Sequence, residues 1–239
     1  MVRGRPPRLM HRLLVPTLGP GRCPVPEEEA HHLSVRRARD GEAVEVMDGA
    51  GGVGQGTLRR EGRDWLADVT TIDRAPAPPP LVLLLAAGDR DRFGWAVEKA
   101  VELGATRIVP VETERSVHVA TRIRAEHRDK LVRRAAEALK QCGGTWLAAV
   151  DRPQSLSQAL GIEAEIRWLA DAAGAPSALP DGTGSVAVLV GPEGGLTDAE
   201  RDAALGAGFR PVRLGPRILR FETAAVAALA AAALGRKEP

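Results

Sequence analysis

The chain has 239 residues, of which 44% are hydrophobic and 27% charged, close to the averages of globular proteins. This composition excludes a disordered chain, a collagen and a small disulfide-stapled domain. The length corresponds to about 1.6 typical domains, so one large domain or two modest ones are possible. The net charge is only +2, but 29 of the 33 basic residues are Arg.

The arginine excess permits two interpretations. Arg is well suited to bidentate phosphate contacts, but the chain is also rich in Ala, Gly and Pro and has no Tyr, as a codon bias would produce. Aromatic residues make up 3%, which argues against a stacking platform for single-stranded RNA.

Several site classes are excluded by what the sequence lacks. Cys23 and Cys142 are far apart and belong to no Cys-x-x-Cys pattern, so we predict neither a disulfide framework nor a metal site. The longest apolar run, over 224–234, is too short to span a bilayer. The N-terminus does not resemble a signal peptide. We therefore expect a soluble, cytoplasmic protein with no membrane partner.

A proline-rich stretch over 75–80 predicts a boundary between domains at 1–75 and 76–239, because Pro interrupts both ladders and helices. The first part is predicted to be a small barrel-like β module. Alternation and turn residues predict strands over 43–47, 56–58 and 65–70, with one short helix within 27–39.

The second part alternates between strands and helices, which predicts an α/β domain with a parallel sheet. Apolar runs predict strands over 81–85, 107–111, 166–170, 186–190 and 211–214. Helical spacing predicts helices over 93–103 and 124–142. A further helix follows a Thr197/Glu200 capping box and ends near Gly208, and a last one begins at Glu222 or Thr223.

The segment 49–54 matches the dinucleotide-binding pattern G-x-G-x-x-G after a predicted strand. That site also needs a helix whose N-terminus holds the pyrophosphate. Gly56 and Gly62 leave no room for such a helix, so we interpret the segment as a hairpin turn.

Two later loops form the most informative pattern. Gly191–Leu196 follows a predicted buried strand, and Leu214–Arg220 follows the next strand. Ligands bind at the carboxyl ends of strands in open α/β sheets. Apolar side chains beside accessible backbone suit a flat heteroaromatic ligand such as adenine. Ordinary turns that need glycine only for geometry are the competing explanation.

These loops resemble the ribosomal RNA small subunit methyltransferase E family, of the knotted SPOUT superfamily. The resemblance rests on G-P-E-G-G over 191–195, L-G-P-R-I-L-R over 214–220 and E-T-A over 222–224. G-D-R over 88–90, E-K-A-V-E-L-G over 98–104, E-R-S over 114–116 and K-Q-C-G over 140–143 follow the family's order. The His pair at 31–32 and the turns at 41–42 and 48–49 resemble its N-terminal PUA-like module.

The resemblance implies S-adenosylmethionine-dependent methylation of N3 of a uridine in 16S rRNA, near the decoding centre of the small ribosomal subunit. It also implies a C-terminal SPOUT-type parallel sheet with a deep trefoil knot, an N-terminal PUA-like β-barrel and a homodimer. The cofactor is expected at Ala170, Gly191, Pro192, Gly194, Gly195, Leu196, Leu214, Gly215, Pro216, Ile218 and Leu219.

Catalysis is assigned to Arg220, as the cation that stabilises the uridine anion, with Glu222 or Glu193 as a possible base. Alternatively, Arg220 binds a phosphate and Glu222 favours the start of the last helix. RNA is expected to contact a basic arm and a second arginine group, although a solvated tail would also explain the arm. These residues are Arg3, Arg5, Arg8 and Arg12, then Arg36, Arg37 and Arg39.

Three other functions compete with this hypothesis. A related knotted methyltransferase acting on tRNA or on a ribose hydroxyl would use the same cofactor loops, and only the modified nucleoside would distinguish it. A catalytically silent RNA-binding protein would fail to bind S-adenosylmethionine. A nicotinamide oxidoreductase would need the 49–54 loop, which lacks its helix.

Overall fold

A computed structural model describes residues 10–176 and 184–235. The chain divides into two compact units. One comprises Met1–Ala77 together with Gly143–Trp146, and the other comprises Pro78–Cys142 and Leu147–Pro239. The first unit therefore ends two residues beyond the predicted boundary at residue 75. It also includes a short segment from the middle of the chain that the sequence did not assign to it.

The first unit is built on a five-stranded sheet with the order β1-β3-β4-β5-β2. The pairing of β1 with β3 is parallel, and the other ladders are antiparallel. Inward residues such as Leu13, Val46 and Leu58 are fully buried in its core. The elements are β1 His11–Leu14, β2 Gly21–Pro24, α1 Glu27–Val35, β3 Ala43–Met47, β4 Gly52–Glu61 and β5 Asp64–Arg74.

The predicted strands over 56–58 and 65–70 are parts of the longer hairpin β4–β5, and β1 and β2 were not predicted. The turn after β3 is the segment that matched the dinucleotide pattern. Asp48 accepts hydrogen bonds from the N–H groups of Ala50 and Gly52, both at 2.8 Å, and β4 starts at Gly52. A Cβ built at Gly51 would stand 2.7 Å from the Trp146 ring. The hairpin interpretation is confirmed, because a strand follows the glycines.

The second unit contains a parallel sheet with the order β12-β10-β11-β6-β7-β8, and β9 also pairs with β7. The predicted α/β class with a parallel sheet is confirmed. The strands are β6 Leu81–Ala86, β7 Arg107–Glu112, β8 Ala149–Val150, β9 Gln154–Ser155, β10 Ile166–Pro176, β11 Val186–Val190 and β12 Arg210–Arg213. The helices are α2 Arg90–Glu102, α3 Arg128–Cys142, α4 Leu156–Ala159, α5 Asp198–Gly206 and α6 Phe221–Leu234.

The central strands are apolar along their whole length because helices cover both faces of the sheet. Val82 and Leu84 on β6 belong to a buried cluster that includes residues of α4 and α5. On the other face, α6 packs against β6, β10, β11 and α2, and α2 packs against α3. The knot implied by the resemblance stays a prediction.

Helix boundaries differ from the predictions where caps decide them. The helix α2 begins three residues earlier than predicted, because the Asp89 carboxylate accepts hydrogen bonds from the N–H groups of Asp91 and Arg92, both at 3.1 Å. The helix α3 begins four residues later than predicted, after a 3-10 turn over Ala125–His127. Within the described ranges, no helix is long and apolar enough to cross a membrane.

Candidate functional site

The loops that follow the strands of the parallel sheet meet at one edge, where their carboxyl ends lie side by side. In the strand order, β11 lies between β10 and β6. The loop after β11 is therefore flanked by the loops after its two neighbours. Both glycine-rich loops singled out in the sequence start at this edge, as predicted.

The loop over Gly191–Leu196, here called loop A, forms a tight turn directly after the buried strand β11. The Gly195 N–H donates to the carbonyl of Pro192 at 2.8 Å, and Pro192 is buried. Gly195 has φ +72, a conformation that only glycine adopts without strain. A Cβ at Gly191 would approach Leu196 to 3.3 Å. The sequence of loop A is therefore dictated by a close-packed turn.

The helix α5 starts at the end of loop A with the predicted capping box. The Glu200 N–H donates to Thr197 Oγ1 at 3.3 Å, and the Thr197 N–H donates to Glu200 Oε2 at 2.9 Å. The other carboxylate oxygen, Glu200 Oε1, accepts a 2.7 Å hydrogen bond from the N–H of Glu114. Glu200 thus both caps the helix and ties it to the loop after β7.

Arg115, in that same loop after β7, contacts loop A directly. Its Nη1 donates to the carbonyl of Gly194, and it lies 3.3 Å from the carbonyl of Leu196. A Cβ at Gly194 would stand 3.3 Å from Arg115 Cδ. Ser116, the next residue, is fully buried and its hydroxyl donates to the Thr113 carbonyl at 3.0 Å. The E-R-S segment therefore connects two strand ends.

The loop over Leu214–Arg220, here called loop B, is much more exposed than loop A. Pro216, Arg217 and Arg220 are exposed, and Ile218 is 90% exposed. Arg220 is the N-cap residue of α6 and makes no side-chain capping hydrogen bond. An aliphatic side chain this exposed is available to cover a ligand.

Phe221 and Glu193 bring the ends of the two loops together. Both approach Gly88, where a Cβ would stand 3.0 Å from Glu193 Oε2 and 3.3 Å from Phe221 Cζ. Glu193 also lies 3.9 Å from Arg92 Nη1. Of the three candidate catalytic residues, Arg220 and Glu222 flank Phe221 in the chain, and Glu193 lies beside the same glycine.

Glu222 carries an unusual oxygen. Its Oε2 is buried and has no hydrogen-bond partner among the described residues. A buried acceptor that stays unpaired carries a free-energy cost, so such an atom is expected where a donor arrives with a ligand. Glu222 lies in the first turn of α6, where the helix dipole favours its negative charge.

The end of β10 carries a bulge beside the site. Ala170 and Ala175 both pair with Val212 on β12, so four residues are looped out between them. Within this bulge, Asp171 accepts a 2.7 Å hydrogen bond from Arg201 Nε on α5. Partial burial alone would raise the pKa of Asp171, but hydrogen bonds from Arg201 and the Ala173 N–H hold it below its usual value.

The loop after β6 holds a second carboxylate with a perturbed pKa. A 2.7 Å hydrogen bond from Thr121 Oγ1, with the N–H groups of Arg92 and Asp91, lowers the pKa of Asp89 below its usual value. Sequence reasoning missed the roles of Arg115, Asp89 and Asp171. The E-R-S segment is part of the family resemblance. Its position directly after a predicted strand could have indicated that it lies at the carboxyl edge of the sheet.

The predicted RNA-binding arginines fall into three groups. Arg3, Arg5 and Arg8 lie outside the described residues. Arg12 is on β1 with its Nε 2.8 Å from Glu45 Oε1, and its side chain is only 16% exposed. The last group follows α1 in the first unit and is exposed. It consists of Arg36, Arg37 and Arg39. RNA binding by all seven stays a prediction.

Comparison with known proteins adds relatives for both units. A family model described as an RNA methyltransferase domain matches residues 75–233, and one described as an RNA methyltransferase PUA domain matches residues 25–66. The ribosomal RNA small subunit methyltransferase E of Synechocystis is 32% identical over 214 residues, which are 84% of this chain and 69% of the relative.

Solved structures also resemble nearly the whole chain. The ribosomal RNA small subunit methyltransferase E of Neisseria gonorrhoeae, bound to S-adenosyl methionine, is 30% identical with a TM-score of 0.83, and the match covers 93% of this chain and 96% of that one. A methyltransferase of Legionella pneumophila in complex with the cofactor SAM is 25% identical with a TM-score of 0.84. That match covers 95% of this chain and 98% of the other.

Proposed function

Because the chain belongs to the ribosomal RNA small subunit methyltransferase E family, we propose that it methylates N3 of a uridine in 16S rRNA, with S-adenosylmethionine as the methyl donor. The observation that carries the proposal is the pair of loops A and B at the carboxyl edge of a parallel sheet, within a family match of 75–233. Relatives of the same overall fold bind this cofactor.

The residues at the edge fit such a cofactor. Nothing lies within 4 Å of a Cβ built at Gly215, so a ligand has access to the backbone of loop B. Apolar side chains and main-chain N–H and C=O groups suit an adenine ring. The residues that would hold the cofactor are Ala170, Gly191, Pro192, Gly194, Gly195, Leu196, Leu214, Gly215, Pro216, Ile218 and Leu219.

The chain's own residues have to bind the base and handle its proton. When bound, S-adenosylmethionine would supply an electrophilic methyl group, with its sulfonium sulfur as the leaving group. The uridine N3 proton must leave, and the carboxylate of Glu222 would accept it. The buried Oε2 of Glu222, which lacks a partner among the described residues, supports this role. Arg220 would stabilise the negative charge that develops on the base oxygens.

Glu193 is the weaker candidate for the base. It is exposed and its Oε1 lies 3.9 Å from Arg92 Nη1, whereas the Oε2 of Glu222 is buried without a partner among the described residues. Glu193 would instead help to hold Arg92 beside the site. The base assignment predicts that Glu222→Gln loses turnover much more than Glu193→Gln does.

The catalytic proposal is tested with purified variants in single-turnover assays on small-subunit RNA. Arg220→Gln should lower the rate by roughly 100-fold, a typical cost of removing one preorganised charge-stabilising donor, while S-adenosylmethionine binding in calorimetry stays near wild type. Arg210→Gln, which changes an exposed arginine at the opposite end of β12, is the matched control. An Arg220→Gln variant with wild-type turnover would overturn the assignment.

The target is tested by mass spectrometry of nucleosides from 16S rRNA of a strain that lacks the gene. Loss of 3-methyluridine, restored by the wild-type gene but not by Arg220→Gln, is the expected result. An unchanged 3-methyluridine level with loss of another methylated nucleoside would indicate a different RNA target. No change in any nucleoside, together with no S-adenosylmethionine binding, would indicate a silent RNA-binding protein.

The proposal extends to the first unit, the assembly and the location. We propose that residues 1–75 form an RNA-binding domain, that the knotted methyltransferase domain spans 76–239, and that the enzyme acts as a cytoplasmic homodimer. Replacing Arg3, Arg5 and Arg8 by Ala, which leaves β1 at His11–Leu14 unchanged, should weaken RNA binding and reduce the slope of its salt dependence, because fewer counterions are released. An unchanged slope would show that the arm does not contact RNA.

A further inference from the structure

The strongest unexplained feature of the site is that loop A and the helix that follows it are held by two consecutive residues of the loop after β7. Glu114 donates through its N–H to Glu200 Oε1 at 2.7 Å. Arg115 donates through Nη1 to the carbonyl of Gly194 and lies 3.3 Å from that of Leu196. The second half of loop A and the first turn of α5 are thus both attached to the loop after β7.

We infer that Arg115 is a positioning residue that fixes the shape of loop A for cofactor binding, an inference that rests on the proposed function. A guanidinium nitrogen shared by two carbonyls fixes where both carbonyls point. The same contact therefore also fixes the direction of the N–H groups in the peptide units of these two carbonyls, and with them the position of the Leu196 side chain. A loop held in its bound shape spares the cofactor the free energy of ordering it.

The packing around Arg115 supports this role. The side chain is exposed, so its removal takes little from the core. Its stem runs against Gly194, where a Cβ would stand 3.3 Å from Arg115 Cδ. Gly194 does not have a positive φ in this structure, so the close approach of Arg115, rather than backbone strain, explains the need for glycine there.

Arg115→Ala is the direct test, measured as S-adenosylmethionine binding by calorimetry and as steady-state kinetics on small-subunit RNA. The dissociation constant and the KM for S-adenosylmethionine should rise at least ~10-fold, because two charge-assisted hydrogen bonds no longer order the loop. The KM for RNA and the kcat at saturating cofactor should change little. Arg115→Lys should fall between wild type and Arg115→Ala, since an ammonium cannot match the planar fork.

Arg128→Ala is the matched control. Arg128 also donates a side-chain hydrogen bond to a main-chain carbonyl, that of Val150 at 2.8 Å, but it does not touch loop A. A general loss of stability would lower the thermal midpoint and weaken binding in both variants. A positioning role lowers cofactor affinity only in Arg115→Ala.

A double mutant makes the inference sharper. Gly194→Ala alone should weaken cofactor binding, because the new methyl group crowds the stem of Arg115. In the Arg115→Ala background the same change should cost much less, so the two effects would not add. Additive effects would show that Gly194 serves the ligand directly and not the contact with Arg115.

The outcomes separate the inference from the function on which it rests. If the wild-type chain fails to bind S-adenosylmethionine, the proposed function is wrong. If the wild type binds and Arg115→Ala binds equally well, the positioning role is wrong and the proposed function stands. A rise in the KM for RNA with unchanged cofactor affinity would assign Arg115 to RNA contact and overturn the inference.

Discussion

Loops A and B lie at the same edge of one sheet but are organised in opposite ways. Loop A has a closed turn, a buried proline and two carbonyls that accept hydrogen bonds from Arg115 in the loop after β7. Loop B exposes three consecutive residues, Pro216, Arg217 and Ile218. From this difference we expect loop A to keep its shape when a ligand binds, and the exposed side chains of loop B to become covered only in the complex.

This asymmetry has a thermodynamic meaning. A loop that already has its bound shape, as we expect for loop A, contacts the ligand without an entropic cost. An exposed loop such as loop B loses conformational freedom when it closes over a ligand. Changes in loop A should therefore act by distorting a fixed shape. Changes in loop B should act by removing contacts that exist only in the complex.

The largest effect is expected when loop A is forced out of its turn. Gly195→Val places a β-branched residue at φ +72, which carries a strain of about 1–3 kcal/mol. The affinity for S-adenosylmethionine in calorimetry should fall roughly 10- to 100-fold, because the loop relaxes away from its shape. Unchanged affinity would mean that loop A does not contact the cofactor.

Gly104→Val is the control for that strain. Gly104 has φ +80 and no atom within 4 Å of its missing Cβ, but it lies after α2, at the opposite edge of the sheet. Both variants should have a lower thermal midpoint. Only Gly195→Val should lose cofactor affinity.

An intermediate effect is expected in loop B. Ile218→Ser removes an aliphatic side chain that is 90% exposed in the free protein, so the thermal midpoint should stay unchanged. If the side chain covers the cofactor, affinity should fall about 10-fold, in line with the free energy of burying such a side chain. Leu234→Ser, at a residue that is 79% exposed, should alter neither quantity. Equal cofactor affinity in Ile218→Ser and wild type would show that the Ile218 side chain of loop B does not cover the cofactor.

The smallest effect concerns the anchoring of α5, the helix that follows loop A. The pKa of Asp171 is lowered in the folded state, so its ionised form favours folding. That stability is present above the unfolded-state pKa of about 3.9 and is lost as the pH falls through the folded value. Thermal unfolding should show a slightly smaller decrease between pH 5 and pH 3 for Asp171→Asn than for wild type. An equal decrease would show that the Asp171–Arg201 ion pair does not contribute to the loss of thermal stability at low pH.

Local patterns explain which parts of the site the sequence predicted. The capping box of Thr197 and Glu200 spans four residues, and strand β11 is a continuous apolar run, so both are visible in a short window. The contacts of Arg115 and Asp171 join residues 79 and 30 positions apart. Such contacts depend on the order of the strands in the sheet, which cannot be read from a short stretch of sequence.

The boundaries of elements were predicted less well than their existence, for a related reason. The apolar residues of α3 begin at Leu131, but the helix itself starts at Arg128, directly after a 3-10 turn that ends at His127. The bulge that lengthens β10 depends on pairing with β12. For β10, the backbone of the neighbouring strand β12 decides how far the element extends.

The membership of residues 143–146 in the first unit has a consequence for the chain's modularity. The Gly51 N–H donates to the Thr145 carbonyl at 3.0 Å, and the Trp146 ring occupies the space beside Gly51. A fragment that ends at Ala77 would lose this acceptor and uncover the turn. The unit is therefore not encoded by one continuous stretch of gene, and exchanging it between relatives by recombination would require two junctions instead of one.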